Sequence, residues 1–191
     1  ASIASLGFAG TAAAQCGEIS VGAPNWSSGE IVGKIDAFIL SNGLGCSVTA
    51  VPAPTTQVLP LATGASAPLM VGEFWTNGVD ETVLEEAIAD GIIELTGKPF
   101  AFAGEAWYVS PAFAADFPEL DTVEEVLARP DLFPSSTVEG TGAFYGCPVG
   151  IGWGCEHSNK NLHTAWNMEE LGWTLENPGS YEGMNLSLIH I

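Results

Sequence analysis

Residues 18–51 read EISVGAPNWSSGEIVGKIDAFILSNGLGCSVTAV, and their order decides the fold. Glu18–Val21 is strand-like. Ser27-x-x-Glu30 has the form of a capping box, and Ile31, Val32, Ile35, Phe38 and Ile39 then recur at helical spacing. Asn42 and Gly43 stop that helix, and Cys46–Val51 is extended again before Pro52 and Pro54. Strand, helix, strand in one short stretch predicts a parallel sheet of the α/β class with flanking helices.

The same alternation continues. Thr55–Ala62 reads as a short helix, Ala67–Phe74 as a third strand and Asp80–Ala89 as an amphipathic helix carrying Val83, Leu84, Ala87 and Ile88 on one face. Ile92–Leu95 and Phe100–Tyr108 look extended. A second capping box, Thr122-x-x-Glu125, opens a helix before Pro130. Gly142–Tyr145 reads as a strand, Asn159–Leu171 as a helix and Trp173–Glu176 as a last strand. A composition shift near Trp107–Pro111 marks the crossing between two lobes, 15–108 and 109–185.

The two ends read as something other than fold. Residues 1–14, ASIASLGFAGTAAA, resemble the last part of a signal peptide cleaved before Gln15, with its basic start missing. Residues 186–191, LSLIHI, look like an adaptor-derived scar.

Composition excludes several functions. The 191 residues include 23 acidic and four basic side chains, a formal charge of −19. Nucleic acid and anionic membrane surfaces are poor partners for such a chain, because both need clustered Lys or Arg. No run of about 18 apolar residues is present to span a bilayer. A cationic or zwitterionic ligand fits better.

Two constellations carry chemistry. Trp26, Trp75 and Trp153 each follow a strand, and ligands of α/β sheets bind at the carboxyl ends of strands. Rings gathered there form a cage for a quaternary ammonium ion. Such an ion donates no hydrogen bond, and each aromatic face holds it by about 0.5–2 kcal/mol. Trp166 and Trp173 read as core. The second constellation is Cys147-PVGIGWG-Cys155, a short glycine-rich loop that fits closure by a disulfide presenting Trp153. Cys16 would then pair with Cys46. The rival reading makes Cys147, Cys155, His157 and His163 a zinc site of a secreted zinc or hydrolytic enzyme. No Gly-x-Ser-x-Gly elbow, P-loop or His-Glu-x-x-His motif occurs, so no catalytic residue is assigned and no cofactor or metal is expected.

These segments resemble a known family. Gly152-Trp153-Gly154-Cys155-Glu156, with Cys147 before it, is similar to the GCxPGWGCE signature of glycine betaine, proline betaine and choline-type substrate-binding proteins of ABC transporters. Phe144–Pro148, Asn177-Pro178-Gly179-Ser180, Gly72-Glu73-Phe74-Trp75, Asn25-Trp26 and Trp107–Pro111 match it as well, so the resemblance covers about residues 16–185. The loop is two residues longer than the family usually has. The resemblance implies a two-lobed, type II periplasmic binding protein whose second lobe is truncated here. It implies periplasmic capture of glycine betaine, choline or a similar osmolyte, or of another zwitterion such as proline or a sulfonium compound. The partner would be the permease in the inner membrane, and the role osmoprotection. Trp26, Trp75, Trp107 and Trp153 would face the ammonium. The ligand carboxylate would meet Ser27 and Ser28 at a helix N-terminus.

Overall fold

A computed structural model describes residues 16–65, 68–101 and 103–184. The proposed leader and scar lie outside them. Five strands and six α-helices follow one another along these residues, with three helices in succession between β3 and β4: β1 (Glu18–Ala23), α1 (Ser27–Phe38), β2 (Ser47–Pro52), α2 (Val58–Gly64), β3 (Leu69–Val71), α3 (Glu81–Ala89), α4 (Pro111–Asp116), α5 (Val123–Leu127), β4 (Gly142–Tyr145), α6 (Gly154–Ala165) and β5 (Trp173–Glu176).

The strands form two parallel sheets, one ordered β2-β1-β3 and the other β4-β5. In the first, β1 is central: the chain passes through α1 to β2 on one side, then through α2 to β3 on the other. The order of strands therefore reverses at β1, which opens a crevice at the carboxyl ends of the strands.

Helix α1 departs from its expected form. Trp26, not Ser27, holds the N-cap position, and no side chain caps the helix. Glu30 reaches forward to Lys34 at 3.6 Å instead of back to the cap. The buried residues of α1 are Gly29 and Gly33; of the apolar stripe Val32 reaches Gly72, while Phe38 is 67% exposed. A Cβ on Gly33 would lie 3.2 Å from the Gly22 carbonyl oxygen and 3.3 Å from Ala23 Cα, so helix and strand meet backbone to backbone.

Other segments differ in extent. The third strand is confined to Leu69–Val71, because the chain leaves the sheet at Gly72. Residues 92–95 and 103–108 join no strand. Helix α6 starts five residues earlier than its periodicity predicts and stops at Ala165, where Asn167 takes a φ of 50°. The Thr122 box forms as expected: Thr122 Oγ1 accepts from Glu125 N while Glu125 Oε2 accepts from Thr122 N.

The core of the second sheet is aromatic. Leu127, Met168 and Trp173 are buried together, with Phe133, Phe144 and Trp166 packed around them. Trp173 Nε1 donates to the Leu127 carbonyl at 2.8 Å. Phe133 lies between Trp173 and Phe113, at ring distances of 5.2 and 4.8 Å.

Candidate functional site

Segments that follow strands of both sheets line one cavity of about 180 Å³. Trp26 comes from the turn after β1, Thr55 from the turn after β2, and Glu73 and Trp75 from the turn after β3. Trp153, Gly154 and Cys155 come from the segment after β4. Trp26 and Trp153 meet edge to face at 6.1 Å. Tyr181, after β5, also meets Trp153, at 5.7 Å.

Glu73 organises the first half of the cavity. It is only 4% exposed, and its Oε1 accepts from Trp26 Nε1 at 2.7 Å, Trp75 Nε1 at 2.9 Å and Ser28 Oγ at 3.1 Å. One carboxylate oxygen thus fixes two indole rings, whose planes would otherwise turn freely about two χ angles. Among the described residues its other oxygen, Oε2, is buried without a partner.

The opposite wall is held by covalent and polar ties. Cys147 and Cys155 are bonded to each other, as are Cys16 and Cys46. All four sulfurs are consumed, so none remains as a thiolate ligand for zinc. Within the loop, Gly152 has a φ of +82°, a conformation that side chains disfavour. Its carbonyl accepts from Thr56 N at 3.1 Å and Thr56 Oγ1 at 3.2 Å. Gly154 lies against the backbone of Gly78, where a Cβ would collide. The Gly-Trp-Gly sequence therefore bends the chain before Trp153 and lets the two halves touch after it. Asn25 closes the crossing: its Nδ2 donates to the Ile151 carbonyl at 2.9 Å and its Oδ1 accepts from Trp153 Nε1 at 2.8 Å.

Of the residues singled out from the sequence, Trp26, Trp75, Trp153 and Ser28 line the cavity. Ser27 does not; its hydroxyl lies 3.4 Å from that of Tyr181. Trp107 also stands apart from the lining. It packs against Phe144 at 4.7 Å, with Nε1 3.4 Å from Asn159 Oδ1. Glu73 and Asn25 were read from the sequence only as parts of family-like segments, and Glu105 not at all; none of the three was assigned to the site. The available signal for Glu73 was a lone acid between an apolar strand and a tryptophan.

Residues 17–190 match the family model of the substrate binding domain of the ABC-type glycine betaine transport system. The chain belongs to that family. No curated protein matches it. Members of the family are non-enzymatic transport components that take up a small-molecule substrate outside the cytoplasm and deliver it to an ABC permease, so the role of this chain is substrate binding for an ABC transporter. The mixed α/β architecture with parallel sheets is consistent with the substrate-binding fold of the family. No helix among the described residues is long and apolar enough to cross a membrane.

Proposed function

We propose that the chain captures a quaternary ammonium osmolyte such as glycine betaine or choline in the periplasm, between two lobes, for import. Trp26, Trp75 and Trp153 form the aromatic cage. The observation that carries this reading is the convergence of three indoles from two different sheets on one cavity. A cation that cannot donate hydrogen bonds is held by such faces through its charge and by dispersion. Two of the indole N–H groups are committed to Glu73 and the third to Asn25, which leaves the ring faces as the recognition surface.

Titration calorimetry with single variants tests the proposal. Removing one wall, in Trp153→Ala or Trp75→Ala, is expected to cost about 1–2 kcal/mol of binding, or about five- to thirty-fold in affinity. Replacement by Phe should cost less, since a smaller aromatic face remains. Unchanged affinity in both alanine variants would remove the cage from the account and leave only the family role.

A further inference from the structure

We infer that the preferred ligand is a net cation, a methylated ammonium compound without a carboxylate, because Glu73 already sets a buried carboxylate against two of the cage indoles. This rests on the cage reading above and narrows it. The side-chain donors on this wall of the cavity include the Ser28 hydroxyl and the indole N–H groups of Trp26 and Trp75. All three are spent on Glu73 Oε1, at 3.1, 2.7 and 2.9 Å. A zwitterion would find those donors taken and would set its own carboxylate beside a buried like charge, which is unfavourable at contact range in a partly desolvated site.

The rest of the lining has the same sign. Glu105 is the second acid on the cavity, its Oε2 held by Asn77 Nδ2 at 2.7 Å, and no Lys or Arg is among the lining residues. Glu73 Oε2 is buried with no partner among the described residues, and a buried acceptor without compensation is costly. A cation seated between the indole faces would compensate it by charge, and a hydroxyl on the same ligand could donate to it. The protein thereby supplies the anion that a betaine would bring with it.

The test is calorimetry on the full chain with choline chloride and glycine betaine as separate probes. The expected result is choline bound at least about tenfold more tightly than betaine. Glu73→Gln should weaken choline by about tenfold or more and narrow that gap. Glu105→Gln, at an exposed position, should weaken choline by about two- to fivefold with folding intact. Circular dichroism reports whether Glu73→Gln folds. If it does not, the wild-type preference and Glu105→Gln decide. Betaine bound as tightly as choline, with Trp153→Ala still damaging, would overturn the cation preference and spare the cage. Folded wild-type protein that binds neither probe would overturn both.

Discussion

Both sheets set tryptophan beyond a strand end, at Trp26 and Trp75 in one and at Trp153 in the other, but the second also builds one into its core. In the sheet of β1–β3 the tryptophans come after the strands, at Trp26 and Trp75, and stand in the cavity. The buried hydrophobic residues in and around those strands are small, among them Val21, Ala53 and Val58. In the sheet of β4 and β5 a tryptophan begins a strand, and Trp173 becomes the centre of the core. What separates a cavity-lining ring from a packing ring is its place relative to the strand end. A ring within the strand is covered by helices; a ring one turn beyond the end faces the crevice.

The largest expected effect falls on the second sheet. Trp173→Ala should cost about 3–5 kcal/mol of stability, measured by denaturant unfolding, because it empties an aromatic core and strands the Leu127 carbonyl. A loss below about 1 kcal/mol would show that the core rests elsewhere.

The two disulfides sharpen the contrast. Replacing Cys16 and Cys46 together by Ser opens a loop of sequence separation 30, which should cost about 3–4 kcal/mol of stability in the chain-entropy account and leave affinity nearly unchanged. Replacing Cys147 and Cys155 opens a loop of separation 8 and should cost about 2–3 kcal/mol. Here affinity should fall as well, since the freed loop carries Trp153. Equal effects of both pairs on affinity would erase the proposed difference between a strut and a site element.

The smallest effect concerns Asp36, on the face of α1 toward Gly72. Burial raises its carboxyl above the ordinary value, and its Oδ2 has no partner among the described residues. The folded state therefore holds this proton more firmly than the unfolded state. Stability falls as pH rises out of the ordinary carboxylate range, and the penalty persists at neutral pH. Asp36→Asn should raise the melting temperature slightly at pH 7 and not at about pH 3, where the acid is protonated in both states.

Much of this was legible in the sequence, unevenly. Strands β4 and β5 and the Thr122 box were readable to the residue, because short-range patterns fix them. The orientation of α1 was not. Periodicity counts apolar side chains, and here the closest approach of helix to strand is made where a side chain is missing, at Gly33. The end of α6 was hidden for a related reason: the apolar spacing continues through Leu171, while a left-handed residue at Asn167 breaks the helix. The tryptophans that line the cavity were visible from their position after strands. The carboxylate that orders two of them was not, since a buried acid is expensive and only the folded arrangement of three donors accounts for it.

That arrangement also gives the molecule an optical signature. Three of its six tryptophans line the cavity, and two of those share one charged acceptor. Indole emission responds to nearby charge and to water. A cation entering the cavity would displace water from those rings and offset the field of Glu73, while Trp173, sealed in the other core, would emit as before. The intrinsic fluorescence of the chain is thus divided into a part that senses occupancy and a part that senses unfolding.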